Sequence, residues 1–216
     1  SKYKNIIFDL GGVLFNVDYH LTEQAFKKLG VSNFDQLYSQ QGASHLFQRL
    51  ECGTIDTADF YSELNKLSGL YLSESEIRKA WNAMLIGFRE SSLQYLDTLK
   101  SKATIFLLSN TNRTHVEEID KIYYSKPRKM PFENHFQHAF YSFNTGKRKP
   151  DSDIYQWVLN QASIHPGDTL FIDDSVQNVE GAESVGIDSV LLEKGKSIEV
   201  LGLLDIVKSY ESNYCF

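Results

Sequence analysis

Cysteine is scarce, at two residues in 216. Cys52 and Cys215 are too few for a disulfide framework and lack metal-site spacing, which fits a reducing cytosol. No apolar run approaches the roughly 20 residues a membrane helix requires. The start, SKYKN, passes straight into IIF without a secretory leader, and the final YESNYCF is not a prenylation signal, so a cytoplasmic protein that meets no membrane is expected. Basic excess is also missing. The net charge is −6, and the densest basic stretch, Lys126 to Lys129, is broken by Pro127 and reads as a solvated loop, so no nucleic-acid partner is expected. Repeats, low-complexity tracts and Pro- or Gly-rich linkers are lacking too.

Several familiar signatures are incomplete. Gly195, Lys196 and Ser197 imitate the end of a P-loop, but Val190 stands where its first glycine belongs. Ser44 has no glycine two residues on, which rules out a nucleophile elbow. His135 and His138 have no further clustered ligands and read as ordinary loop or strand residues.

What is present is ordinary for a folded, water-soluble chain: 42% hydrophobic and 23% charged residues. Strand-like runs occur at 5–10, 103–109, 169–174 and 189–192, with a weaker one at 138–143. Helix-like segments at 92–100, 114–124, 151–160 and 176–185 separate them. This alternation predicts an α/β fold, a doubly wound, parallel, five-stranded Rossmann-like sheet with helices on both faces.

Between the first two strands, residues 17–89 look helical throughout, with no convincing strand. Apolar stripes recur at Leu21, Ala25, Phe26 and Leu29, at Leu46 and Leu50, and at Phe60, Leu64 and Leu67. A capping box, Ser73 with Glu76, precedes a stripe that includes Trp81, read as a packing residue. The expected organisation is a core of residues 1–16 and 90–216 with a helical-bundle cap, residues 17–89, inserted in it.

In an open α/β sheet, ligands bind beyond the carboxyl ends of the strands. FDLGGVLFN at 8–16 puts Asp9 at such an end, followed by Gly11 and Gly12, where backbone can approach a ligand; an Asp before two glycines is equally a turn. FLLSNTN at 106–112 puts Ser109 and Asn110 at the next, with Thr111 or Asn112 free to cap a helix or meet a phosphate. GKRKPDSDIY at 146–155 supplies Lys149, a solvated residue if taken alone. TLFIDDSVQN at 169–178 ends in Asp173 and Asp174. Two adjacent carboxylates repel unless compensated, and a divalent cation is the economical compensation.

Together and in this order, these four segments resemble the motifs of the haloacid dehalogenase-like hydrolases, and the helical insertion resembles that family's first type of cap. DLGGVL and IDDS are similar to the small sugar-phosphate phosphatases of the group, including those acting on glucose 1-phosphate. The resemblance implies Asp9 as the nucleophile that forms a phosphoaspartyl intermediate. It implies Mg²⁺ held by Asp9, the Gly11 carbonyl and the Asp173–Asp174 pair. Gly12, Ser109 and Asn110 would bind phosphate, Lys149 would neutralise charge, and Asn178 would support the acidic loop. The implied partner is a small phosphorylated metabolite.

One position departs from the pattern. Typical members carry a second Asp two residues after the nucleophile as general acid, and this chain has Gly11. The resembling sugar-phosphate enzymes also have glycine there, so inactivity does not follow. Asp18, with His20 behind it, is the substitute the sequence offers, although Asp18 also fits a helix N-cap. Haloacid dehalogenation is an alternative that the acidic pair argues against, and a degenerate phosphate- or partner-binding relative is another. A receiver domain is excluded because its acidic pair ends the first strand. Substrate-facing candidates in the cap are His20, His45, Gln48 and Arg49.

Overall fold

The computed structural model describes residues 2–38 and 45–207; Ser44 and Cys215 lie outside the described residues. In chain order the elements are β1 (Asn5–Phe8), β2 (Phe15–Val17), α1 (Tyr19–Lys28), α2 (Phe34–Tyr38), α3 (Leu46–Glu51), α4 (Thr57–Ser68) and α5 (Glu74–Asn82). They continue with β3 (Leu85–Phe88), α6 (Glu90–Leu99), β4 (Thr104–Ser109), α7 (Arg113–Tyr124), β5 (His138–Tyr141), α8 (Ser152–Ala162), β6 (Thr169–Asp173), α9 (Val176–Glu183), β7 (Asp188–Leu191) and α10 (Leu203–Ile206).

Five strands form one sheet in the order β5-β4-β1-β6-β7, every neighbouring pair parallel. Side chains alternate between its faces. Ile6, Phe8, Ile105 and Leu107 pack with Leu93 and Leu96 of α6 and Ile119 of α7 on one side. Ile7, Phe106, Leu108 and Phe171 meet Ile154 and Val158 of α8 and Ala182 of α9 on the other. Burial on both faces explains why these strands read as continuous apolar runs rather than as alternating ones.

Helices α1 to α5 bury a separate cluster that includes Phe26, Phe34, Phe47, Phe60, Leu64 and Trp81. The Ser73–Glu76 capping box is complete, with the Ser73 N–H donating to Glu76 Oε2 at 2.8 Å and the Glu76 N–H to Ser73 Oγ at 3.2 Å. Two expectations need correction. Residues 17–89 are not free of strand: β3 pairs antiparallel with β2, whose last residue is Val17, forming a two-stranded ribbon at the root of the insertion. Periodicity missed it because Leu85 directly continues the α5 stripe and Ile86 is exposed. Leu21 and Leu67, assigned to apolar stripes, are exposed as well. The 126–129 stretch is only partly solvated, because Arg128 forms a bidentate pair with Glu90 at 2.8 and 2.9 Å.

A close approach ties the helical part to the sheet. Gly53, just after α3, has φ of +68°, and a Cβ there would lie 2.0 Å from the carbonyl oxygen of Phe143. Only glycine lets α3 end against the 142–144 turn. Among the described residues no helix is long and apolar enough to cross a membrane.

Candidate active site

Asp9 follows β1 directly, and its N–H extends the ladder by donating to the Ile172 carbonyl at 2.9 Å. The carboxyl is almost wholly buried. Parallel registers of β4 and β6 against β1 bring Ser109 and Asp173 to the same edge of the sheet. Lys149 arrives on the loop before α8 and is buried, its Nζ donating to Asp9 Oδ1 at 2.8 Å and Asp173 Oδ2 at 2.6 Å. A lysine that sequence alone would leave in solvent thus bridges two carboxylates.

Its loop is fixed by Asn110. The Asn110 side chain accepts from the Lys149 N–H at 2.9 Å and donates to the Lys149 carbonyl at 2.8 Å. Asp173 is held equally firmly. Besides Lys149 it accepts from the Ser175 N–H at 2.9 Å and, on both oxygens, from Asn178 Nδ2 at 3.0 Å. Asp174 lies open beside Gly12.

Carboxylate oxygens of Asp9, Asp173 and Asp174 all lie within 4.8 Å of one another. Burial drives the Asp9 carboxyl up to about 7, against the pull of Lys149 and with the push of Asp173. Asp174 is raised by burial and by Asp173. Burial lowers Lys149, but the two carboxylates outweigh it and leave the ammonium more firmly protonated than usual. Three carboxylates against one contacting ammonium leave two negative charges uncompensated. An all-oxygen set with that deficit fits a hard divalent cation such as Mg²⁺.

Gly12 makes this arrangement possible. At its φ of +73°, a Cβ would sit 2.0 Å from Asp174 Oδ2. Gly12→Ala should therefore displace Asp174 and strain the turn, raising the Mg²⁺ concentration needed for half-maximal activity by about tenfold or more. Metal titration of the activity measures this; an unchanged requirement would remove Asp174 from cation binding. Gly11, by contrast, meets just Val17 at 3.4 Å, so a Cβ there would fit.

A pocket of about 350 Å³ opens over this edge, lined by Gly11, Gly12, Ser109, Asn110, Thr111 and Asp174 from the sheet side and by Tyr19, Tyr38, Glu51, Trp81 and Met84 from the helical side. Trp81 is 2% exposed, so it is core as expected, yet it also forms pocket wall. Asn112 caps α7, accepting from the His115 N–H at 3.0 Å.

Asp18 is not part of this assembly. It is exposed at the N-cap of α1, where its Oδ1 accepts from the His20 N–H at 3.0 Å, so capping accounts for it. His20 contacts Glu23 and Gln24 on the surface, and Arg49 pairs with Glu63 at 2.8 Å. His45 and Gln48 line a smaller cavity that shares Tyr38 and Glu51 with the pocket.

Sequence reasoning missed Glu51, Tyr19, Tyr38 and His115, since none carries a motif. His115 is buried with its ring stacked on Trp81 at 4.4 Å and its Nε2 3.1 Å from the Trp81 carbonyl. Burial lowers its pKa from 6.5 to about 4. The imidazole stays neutral in the fold while the unfolded chain takes a proton, so stability falls as pH drops from about 6.5 toward 4. His115→Gln should flatten that fall by about 3 kcal/mol, measured by urea unfolding across this range. An unaltered slope would show that His115 titrates normally.

The sheet order, its helices on both faces and the acidic cluster at the strand ends define a doubly wound α/β protein with a candidate cation-binding centre at the carboxyl edge of its sheet. The chain belongs to the haloacid dehalogenase-like hydrolases, whose family model matches residues 3–186. It is 29% identical to a D-ribitol-5-phosphate phosphatase of Bacteroides thetaiotaomicron over 192 residues, 89% of this chain and 93% of that one. It is 30% identical to a sesquiterpene phosphatase of Aspergillus oryzae, covering 87% and 88% of the two chains. A haloacid dehalogenase family enzyme from Bacteroides thetaiotaomicron, solved with magnesium and inorganic phosphate, superimposes with a TM-score of 0.85 at 32% identity, over 93% of this chain and 99% of that one.

Proposed function

We propose that the chain is a Mg²⁺-dependent phosphatase that hydrolyses a small phosphorylated metabolite, a sugar or polyol phosphate, through a phosphoaspartyl intermediate on Asp9. The observation that carries this reading is the buried Asp9 carboxylate, aligned by Lys149 within a donor set two charges short of neutrality. Residues 17–89 act as the cap, over a core of 1–16 and 90–216.

Mg²⁺ would be held by Asp9, the Gly11 carbonyl and Asp174, and would supply the charge neutralisation that lets a carboxylate meet an anionic phosphoryl group. Asp173, its oxygens engaged by Lys149, Asn178 and Ser175, serves as the anchor for Lys149 instead. Ser109 and the backbone amide of Asn110 bind phosphoryl oxygens; the Gly12 N–H, expected to join them, is taken by the Phe15 carbonyl at 2.8 Å, and Gly12 serves by leaving room for Asp174.

An Asp9 oxygen attacks phosphorus, and the bond from phosphorus to the ester oxygen breaks. The departing alkoxide takes a proton from water, because no side chain at position 11 can give one. A second water adds to phosphorus, loses its proton to solvent and restores the Asp9 carboxylate. Such a site should favour esters whose leaving groups need little proton assistance.

Phosphate release from p-nitrophenyl phosphate and a panel of sugar and polyol phosphates, with Mg²⁺ and with EDTA, tests the reading. Mg²⁺-dependent turnover lost in Asp9→Asn is the expected result. Chloride release from 2-chloropropionate with no phosphate release from any ester would replace this activity with dehalogenation, and phosphate binding without turnover would leave a binding protein.

A further inference from the structure

Glu51 ends α3 on the helical wall of the pocket, and 97 residues of sequence separate it from its partner, Arg148. Arg148 Nε and its terminal nitrogen both converge on Glu51 Oε2, at 3.0 and 2.9 Å. Oε1 has no hydrogen bond among the described residues, although a carboxylate oxygen accepts two.

Arg148 compensates the charge of Glu51, but a carboxylate oxygen left without a donor in a largely buried wall is unfavourable until a ligand supplies one. The groups proposed above to bind the phosphoryl oxygens, the Ser109 hydroxyl and the Asn110 amide, are donors. A leaving group rich in hydroxyls has donors to offer, whereas an aliphatic one would leave Oε1 dry and unpaired.

The position of Glu51 is fixed relative to the nucleophile. Arg148 is chain neighbour to Lys149, whose backbone is clamped by Asn110 and whose Nζ contacts Asp9. Gly53, against the Phe143 carbonyl, pins the end of the same helix. A smaller cavity of about 110 Å³ shares Tyr38 and Glu51 with the pocket and is also lined by His45 and Gln48.

We propose that Glu51 is a specificity-determining residue whose Oε1 accepts hydrogen bonds from a hydroxyl of the leaving group, selecting polyhydroxylated phosphate esters over apolar ones of equal length. This rests on the phosphatase function proposed above and assigns a residue to the selection of its substrate. The two curated relatives described above act on a polyol phosphate and on a sesquiterpene phosphate, so their names alone leave that choice open.

The test compares ribitol 5-phosphate, glucose 6-phosphate and glucose 1-phosphate with n-pentyl and n-hexyl phosphate in the wild type, Glu51→Leu and Glu51→Gln, with p-nitrophenyl phosphate as control. In the wild type at least one hydroxylated ester should exceed its alkyl counterpart by about 100-fold or more in kcat/KM. Glu51→Leu should lose about 10- to 100-fold on that ester and Glu51→Gln, which keeps its one oxygen for Arg148 and presents an amide NH₂ in place of Oε1, about tenfold, chiefly in KM, while alkyl and aryl esters stay within about threefold. If Glu51→Leu does not fold, the isosteric Glu51→Gln decides.

Equal losses on hydroxylated and alkyl esters would overturn the assignment in favour of a tether between cap and core. So would undiminished turnover of the hydroxylated ester, or a wild type that shows no preference for hydroxyls while still hydrolysing p-nitrophenyl phosphate. Absence of Mg²⁺-dependent turnover on every ester, the aryl one included, is a different result, which overturns the phosphatase reading and this assignment with it.

Discussion

Asp9→Asn should abolish turnover, by a factor on the order of 10⁵ or more, because an amide oxygen is a poor nucleophile and no neighbouring group can replace it. Stability should move the other way. In the metal-free protein the Asp9 carboxyl is raised to about 7 by burial, so ionising it opposes folding. A group whose folded pKa lies above its unfolded value loses its stabilising contribution as pH climbs through the folded pKa. Asn at position 9 is free of that dependence. With EDTA present, Asp9→Asn should therefore be more stable than the wild type by about 2 kcal/mol at pH 8, with the difference closing toward pH 4. This figure is discounted because Lys149 loses one of its two carboxylates. Mg²⁺ should then raise the melting temperature of the wild type and do much less for the variant. Thermal unfolding with Mg²⁺ and with EDTA measures both effects; a variant less stable than the wild type in EDTA would show that Asp9 is held mainly by attraction to Lys149.

The sheet was legible because strands buried on both faces print as unbroken apolar runs, and because helices separate them at regular intervals. Asp9, Asp173 and Asp174 were legible for a related reason: polar residues at the ends of such runs are unusual enough to mark themselves. Lys149 was placed by resemblance rather than by pattern. Its burial depends on Asn110 holding its backbone, a contact across 39 residues that no local spacing expresses. The ribbon of β2 and β3 was hidden for lack of length, three and four residues respectively, and by side chains that are mostly exposed or half-buried.

Glu51 was hidden more thoroughly. On α3 it reads as one more charged residue closing a short helix, and just the folded chain shows that Arg148 reaches across to it. Asp18 illustrates the reverse error. Its nearness to the catalytic loop in sequence made it the natural replacement for the acid missing at Gly11, but the chain turns at that point to start α1, and the N-cap takes its carboxylate. Position relative to a motif is a weak guide wherever an unsatisfied helix end lies between.

Lys149→Met tests the electrostatic design from the opposite side. The ammonium is buried between Asp9 and Asp173, and methionine preserves much of its volume without its charge. Turnover should fall by about 10²- to 10³-fold, the loss expected for removing one preorganised positive partner of a developing phosphoryl charge. In EDTA the protein should lose about 3–5 kcal/mol, because three carboxylates then face one another with no contacting cation. Mg²⁺, however, should bind more tightly than in the wild type, since a positive charge that competes for the same carboxylates is gone, and metal should recover much of the lost stability. This combination of slower turnover, weaker apo fold and tighter metal separates an electrostatic role from a merely structural one, which would loosen the site and weaken Mg²⁺ binding along with everything else. Isothermal titration with Mg²⁺ decides between them. Asp9→Asn and Lys149→Met should both silence catalysis while shifting metal affinity and metal-free stability in opposite directions, as required of two oppositely charged groups that share one buried, cation-deficient site.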